Sequence, residues 1–366
     1  MLFSERDIDI LKLLRWCRFI RADALTNAFS AVEISNLLVF SLIKLHQTSG
    51  AYLLTAKGNR LLDDIIPGLP PATPPAYRPA DTIRRLHLAE IMLTAYGAGV
   101  HVFSPDTASL ICDRTLFLPA ISRSRGSNPW GSTRVAAIAH LGEHLCAFHY
   151  VCPGIGRLAL NDELAAFHNN TAELPDLQRG IIFSGATYEE ILSELESLET
   201  TPDAKLTSYA DAYRLLKLPV FLLPCDTVGA LQLRILATPN YRQELTQAAL
   251  KSRYTPPPES FPLCDAWFQG APFLMAADMD LRRIDDAVEA ARVQGLPQIA
   301  LAALPAQCEA VLFRRYRDTG KARVFALTDA ALTQVLGSPL PPYPPPHKPY
   351  YTKEGAIVHV PLIKAR

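Results

Sequence analysis

Residues 140–144 contain the types of side chain that bind zinc in one class of hydrolases. Their sequence, His-Leu-Gly-Glu-His, matches the H-x-x-E-H pattern, in which two histidines bind zinc from one helix face and the glutamate acts as base. The flanking residues instead form two β-like runs, 134–140 and 144–151, with a turn between them. The central glycine would also weaken a helix. We therefore predict a β-hairpin here and no metal site.

Asp278 and Asp280 form a second group of candidate metal ligands. They follow the apolar run 273–277, at the predicted carboxyl end of a strand, where sites in α/β proteins usually lie. Paired carboxylates there could bind Mg²⁺, or they could cap the next helix and interact with its dipole. The chain has no G-x-x-x-x-G-K-[ST], G-x-G-x-x-G or G-x-S-x-G motif. Capping is therefore favoured, and we predict no catalytic residue and no cofactor.

Polar and basic side chains near the N-terminus indicate contact with nucleic acid instead. Lys+Arg and Asp+Glu both number 36, so the formal net charge is zero and any DNA contact must be local. A basic segment around Trp130 could add phosphate contacts and a base-stacking aromatic, or Trp130 could be buried in a solvated loop over 121–134. The candidate DNA-binding residues are Ser35, Asn36, Lys44, His46, Gln47, Lys57, Arg60, Arg123, Arg125 and Arg134.

The first 66 residues contain the elements that would position most of these side chains. Ser4 and Asp7 predict a capping-box-like start for a first helix, and 21–29 predicts a second. A third helix is expected over 32–47, then a strand at 52–54 and a helix capped by Thr55. This order predicts a winged helix-turn-helix whose third helix enters the major groove of double-stranded DNA. Because that helix carries only one lysine, Lys44, it could alternatively pack against the body or another subunit, as in a homodimer.

The rest of the chain alternates apolar strands with helices, which predicts a mixed α/β fold with a mostly parallel sheet. Proline clusters mark the expected boundaries. The predicted domains are 1–66, a winged helix-turn-helix; 67–79, a proline-rich linker; 80–337, an α/β body whose two lobes would be 80–255 and 265–337; and 338–366, a proline-rich tail with a terminal strand.

Two features of the sequence bear on location. The chain has no run of 18 apolar residues, so we expect no membrane-spanning helix and no membrane partner. Its seven cysteines are scattered, odd in number and free of C-x-x-C spacing, and the N-terminus carries no signal-peptide pattern. A reducing, cytoplasmic location is the expectation.

The order of several short motifs resembles the replication-relaxation, MobC-like proteins of plasmids and integrative conjugative elements of Gram-positive bacteria. The motifs are Tyr-Leu-Leu-Thr-Ala-Lys-Gly at 52–58, Arg-Arg-Leu-His at 84–87, Ser-Thr-Arg at 132–134 and Asp-Met-Asp-Leu at 278–281. The resemblance implies a winged helix, a body related to restriction-nuclease folds, and a role in plasmid replication or conjugative mobilisation alongside partner proteins of a replication or relaxase complex.

The expected function is therefore that of a non-enzymatic DNA-binding accessory or regulatory protein. The chain lacks the Asp followed by Glu-x-Lys that an active nuclease of the restriction type carries, so a body of that descent would be inactive. Two alternatives stay open. One is a protein-interaction or dimerisation module that uses the winged helix as its interface, and the other is a metal-dependent nuclease.

Overall fold

The computed structural model contains two compact units. The first comprises Met1–Leu110, Thr115–Gly131 and Pro341–Arg366, and the second comprises Ile111–Arg114 and Ser132–Leu340. The structure describes residues 2–70, 79–124, 129–131, 133–152, 160–174, 176–197, 199–200, 206–207, 217–296, 298–337, 350–352 and 357–358.

The first unit begins with alternating short helices and strands. These are β1 (Leu2–Phe3), α1 (Glu5–Cys17), β2 (Ile20–Arg21), α2 (Ala22–Ala28), α3 (Ala31–Val39), β3 (Ile43–His46), β4 (Ala51–Leu54) and α4 (Ala56–Ile65). Strands β2, β4 and β3 form an antiparallel sheet in that order. The predicted capping box of α1 is present, because Ser4 and Asp7 bond to each other's backbone N–H.

The expectation that the third helix runs to residue 47 is wrong. The helix ends at Val39, and Ser41 adopts a left-handed backbone with φ +54°. Residues Ile43–His46 then form a strand whose backbone pairs with β4. Leu42 and Leu45 fit a helical stripe in the sequence, but a short apolar run does not distinguish helix from strand. Pairing with β4, which is separated from β3 by four residues, decides the outcome.

The same unit extends beyond the first 66 residues. It includes α5 (Pro79–Gly97), β5 (His101–Ser104), a 3₁₀ helix (Thr107–Ile111), β6 (Thr115–Phe117) and α6 (Pro119–Ser124). Helix α5 packs against α1, where Tyr96 donates a 3.0 Å hydrogen bond to Asp9 and Met92 lies beside Cys17. Strands β5 and β6 are parallel. Residues of the predicted body thus share a core with the predicted head.

The first sheet of the second unit confirms the parallel α/β pattern. Strands β12, β9 and β8 are mutually parallel neighbours, and β7 joins β8 as an antiparallel hairpin. The elements are β7 (Ala137–Leu141), β8 (His144–Tyr150), α7 (Leu160–Asn170), β9 (Gln178–Gly185), α8 (Tyr188–Glu196), β10 (Glu199–Thr200), β11 (Leu206–Thr207), β12 (Val220–Pro224), α9 (Thr227–Leu236) and α10 (Tyr241–Leu250).

The second sheet of this unit has the order β13-β14-β15-β16, with β14, β15 and β16 parallel. Strand β13, antiparallel to β14, has no counterpart in the sequence-based expectations. Residues 308–317 form a π-helix. The elements are β13 (Ala266–Phe268), β14 (Ala271–Met275), α11 (Leu281–Val293), β15 (Ile299–Ala303), α12 (Pro305–Gln307), the π-helix (Cys308–Arg317), β16 (Ala322–Ala326) and α13 (Asp329–Leu336).

The described part of the C-terminal tail consists of two short strands, β17 (Tyr350–Thr352) and β18 (Ile357–Val358). Strand β17 pairs antiparallel with both β18 and β1. A strand was expected near residues 356–360, and β18 lies within that range. Residues 2–3, 350–352 and 357–358 therefore form one small sheet of the first unit.

Candidate nucleic-acid interface

Helix α3 is anchored by its first turn and by its inner face. Ser30 and Glu33 form a capping box, in which the Ser30 N–H donates to Glu33 at 2.7 Å and the Glu33 N–H donates to Ser30 Oγ at 3.3 Å. Glu33 also accepts from Arg6 at 2.5 Å. Burial alone would raise the pKa of Glu33, but the hydrogen bonds from Arg6 and Ser30 lower it. Ile34 and Leu37 are buried. The Glu33 carboxylate therefore anchors the first turn of α3.

The opposite face of α3 is exposed to solvent. Val32 is 69% exposed and Val39 is 74% exposed. The candidate residues Ser35 and Asn36 are exposed as well. All four lie on one side of the helix, because spacings of three and four residues return to the same face. The outer face thus presents apolar groups, a hydroxyl and an amide.

The Thr-Ala-Lys-Gly motif at 55–58 attaches α4 to the chain that leaves α3. Thr55 accepts the Gly58 N–H at 3.1 Å, as expected for an N-cap, and its hydroxyl donates to the Ser41 carbonyl at 2.7 Å. Lys57 Nζ donates to the Phe40 carbonyl at 2.9 Å. A Cβ on Gly58 would lie 2.3 Å from the Leu42 carbonyl oxygen, so only glycine fits this approach. The motif fixes Lys57 at the carboxyl end of α3.

The ion pairs of the head separate seven of its eight basic residues into two classes. Four basic side chains pair with carboxylates: Arg6 with Glu33, Lys12 with Asp9, Arg15 with Asp63, and Arg21 with Glu90. The second class is Lys44, Lys57 and Arg60, which are exposed and form no ion pair within the described parts of the chain. Lys57 and Arg60 lie one turn apart on α4, on the same side of the helix. These three charges remain available to an external anion.

The remaining head candidates lie on the β3–β4 hairpin. Lys44 lies opposite Leu53 and His46 lies opposite Ala51. His46 Nδ1 is 2.8 Å from Ser49 Oγ, a contact that closes the turn. Gln47 is exposed in that turn. The hairpin therefore presents a lysine, an imidazole and an amide to solvent.

The basic segment around Trp130 differs from the expected loop. The first residues of this segment belong to helix α6 and are not a loop. The Arg123 side chain and all of Arg125 lie outside the described residues. Trp130 is 1% exposed, so of the two alternatives burial is the one observed, and its ring is not available to stack on a base. Arg134 belongs to the second unit, and its backbone N–H donates to both carboxylate oxygens of Glu163 at 2.8 and 2.9 Å.

The two candidate zinc ligands lie on a β-hairpin, which confirms that prediction. His140 is the penultimate residue of β7, and His144 is the first residue of β8. Gly142 takes φ +58° in the turn between them, a conformation that glycine readily adopts. Burial lowers the pKa of His144, whose ring packs edge-on against Phe221. The two histidines therefore do not lie on one helix face, which the chemistry of the H-x-x-E-H pattern requires.

Asp280 serves the capping role favoured by the sequence, whereas Asp278 binds the side chains of Tyr241 and Arg242. Asp280 accepts the Arg283 N–H at 3.3 Å as the N-cap of α11, and also the Val220 N–H at 3.2 Å. Asp278 accepts the Tyr241 hydroxyl and Arg242 Nε, each at 2.7 Å. A second guanidinium nitrogen of Arg242 lies 3.4 Å from Asp280. The guanidinium thus occupies the position between the carboxylates that a cation would take.

Charge in this buried cluster is unevenly distributed. Asp278 is 0% exposed and Asp280 is 4% exposed. Burial would raise the pKa of Asp278, but Arg242, Arg283 and the Tyr241 hydroxyl lower it below its usual value. Burial and the neighbouring Asp278 charge raise the pKa of Asp280 to about 6. No three His, Cys, Asp or Glu side chains among the described residues form a group that could hold a metal ion.

The sequence did not predict which side chains bind Asp278 and Asp280. Arg242 lies 36 positions from Asp278, and no short motif signals that pairing. The exposure of Val32 was likewise unforeseen, because apolar residues in a helix are usually assigned to its buried stripe.

The comparisons with known proteins identify no relative of this chain. No family model matches the chain, and neither a curated protein nor a solved structure matches it. Within the described residues, no helix is both long and apolar enough to cross a membrane.

Proposed function

We propose that the head binds double-stranded DNA as a winged helix, with α3 directed toward the duplex and the β3–β4 hairpin as the wing. The carrying observation is the cationic set Lys44, Lys57 and Arg60, which adjoins α3 and is exposed while other basic side chains of the head are paired. Lysine and arginine at such positions neutralise phosphates and fix a protein on the duplex. The order α1, β2, α2, α3, β3, β4 supports the winged-helix assignment.

We further propose a non-enzymatic role, as an accessory or regulatory protein of plasmid replication or conjugative mobilisation. The resemblance of the motifs at 52–58, 84–87, 132–134 and 278–281 supports this role, and cytoplasmic partners in a replication or relaxase complex would accompany it. The engagement of Asp278 and Asp280 by Arg242 supports the absence of carboxylate metal chemistry at that point.

An electrophoretic mobility shift with a duplex of about 30 base pairs tests DNA binding. We expect the double variant Lys44→Glu/Arg60→Glu to lose most of its affinity, because it replaces attraction to phosphate by repulsion. The matched control is Arg292→Glu/Arg314→Glu, which makes the same charge change at exposed positions of the second unit. Equal affinity of both variants for DNA, or no binding by the wild type, would contradict the proposal.

A specific observation favours a second function, a protein interface formed by α3. Val32, Val39 and Leu45 are exposed apolar side chains on α3 and the following strand. Contiguous exposed apolar surface is typical of protein–protein contacts. Analytical ultracentrifugation separates the two functions. A wild-type dimer that Val39→Asp converts to a monomer would favour the interface. Wild type and variant that are both monomeric would exclude it.

A further inference from the structure

Given that the head binds duplex DNA, we infer that the outer face of α3 reads A·T base pairs in the major groove. Asn36 bonds to adenine, and Val32 and Val39 contact thymine methyl groups. Lys44, Lys57 and Arg60 supply affinity through phosphates and carry no base preference.

The side chains of α3 exclude the usual means of reading a G·C pair. Guanine is read mainly by arginine or lysine, and α3 contains neither. Cytosine is read by a carboxylate that accepts from its exocyclic amine. Glu33 is the sole acid of α3, and it is bonded to Arg6 and Ser30. The helix therefore has no free group that favours guanine or cytosine.

The groups that remain on the outer face match the A·T pair. An asparagine amide forms two hydrogen bonds with adenine, one to N7 and one from the exocyclic amine. Apolar side chains contact the C5 methyl group, which only thymine carries. Val32 and Val39 are separated by seven residues, or about 10 Å along the helix axis. That length corresponds to about three base pairs, so the face is suited to a short A·T run.

Affinity and base preference come from different residues, which makes them separable. Lys57 is held at the carboxyl end of α3 by its bond to the Phe40 carbonyl, and Lys44 and Arg60 lie on β3 and α4. Phosphate contacts position a protein without sequence information. Charge variants should therefore weaken binding to every duplex equally, whereas outer-face variants should weaken binding to the A·T duplex and leave binding to the G·C duplex unchanged.

Fluorescence anisotropy with full-length protein tests this division on four duplexes of equal length at one salt concentration. The first contains a central A·T run, and the second has a G·C run in its place. The third has uracil for thymine, which removes the methyl groups. The fourth has 7-deazaadenine for adenine, which removes N7. We expect wild type to prefer the first duplex over the second by about 5- to 150-fold, the range of one good base contact.

The variants assign that preference to particular atoms. Asn36→Ala should bind the 7-deazaadenine and A·T duplexes equally, and Val32→Ala/Val39→Ala should no longer distinguish uracil from thymine. Lys44→Glu should lose affinity for all four duplexes while keeping the A·T preference. These positions are exposed, so the substitutions should leave the unfolding transition unchanged.

The outcomes separate this inference from the proposed function. Salt-dependent binding with equal affinity for all four duplexes would overturn base reading and leave DNA binding intact. An A·T preference unaffected by either base analogue would assign the preference to DNA shape and overturn the inference. Absence of binding to any duplex, or burial of α3 in a homodimer at the assay concentration, would overturn both.

Discussion

Asp280→Asn tests the electrostatics of the buried cluster in the second unit. Burial and the charge of Asp278 raise the pKa of Asp280 from 3.8 to about 6. Since the folded state binds this proton more tightly than the unfolded state, the stabilising contribution is complete below about pH 4 and is lost as pH rises through 6. A change of about two pKa units corresponds to roughly 3 kcal/mol of unfolding free energy.

Asparagine is neutral at every pH and retains an oxygen that can accept the Val220 and Arg283 N–H groups. Titrating groups other than the adjacent Asp278 contribute equally to both proteins, so the difference between variant and wild type reports on the Asp278–Asp280 pair. We expect that difference in unfolding free energy to shift in favour of the variant by roughly 2 kcal/mol between pH 4 and pH 7.

Urea unfolding at pH 4, 5, 6 and 7, followed by circular dichroism and by tryptophan fluorescence, measures this difference. Trp267 lies in the same unit as the cluster and reports its unfolding. In an Asp278→Asn background the shift should shrink, because the neighbouring negative charge is gone. A difference between Asp280→Asn and wild type that stays constant across this pH range would refute the reasoning.

Three further substitutions test the packing of particular elements. Gly58→Ala should destabilise the head by about 1–3 kcal/mol in thermal unfolding, because a Cβ would lie 2.3 Å from the Leu42 carbonyl oxygen; stabilisation would show that helix propensity outweighs this contact. Ser30→Ala should cost about 1 kcal/mol in urea unfolding, and no change would contradict the capping box. Gln307→Leu should cost about 1–3 kcal/mol, since its buried amide donates to the Ala277 carbonyl and accepts from the Leu304 N–H, whereas Gln298→Leu, a surface-amide control, should cost less.

Local sequence rules predicted the elements whose stabilising contacts are close in sequence. The capping box of α1 needs Ser4 and Asp7, three residues apart, and Thr55 caps α4 through Gly58 at the same spacing. The β7–β8 hairpin likewise depends on adjacent runs and one glycine. Alternating strands and helices were sufficient for the parallel sheets.

Features that depend on distant partners were not predictable in this way. The end of α3 was missed for a different reason: the β3–β4 hairpin that follows it is local, but a short apolar run does not distinguish helix from strand. Arg242 reaches Asp278 across 36 positions, and its presence decides between a cation site and a cap. At the candidate interface, the sequence supplied Lys44, Lys57 and Arg60. Their lack of ion pairs within the described residues became visible only when four other cations of the head were assigned partners.

The salt dependence of duplex binding tests the central claim most directly. The logarithm of the association constant should fall linearly with the logarithm of salt concentration. Replacing Lys44, Lys57 and Arg60 with alanine should make that slope shallower by about 2.7, because about 0.9 is lost for each phosphate contact removed. An unchanged slope in the triple variant, or wild-type binding that is insensitive to salt, would contradict the assignment of these three side chains to DNA.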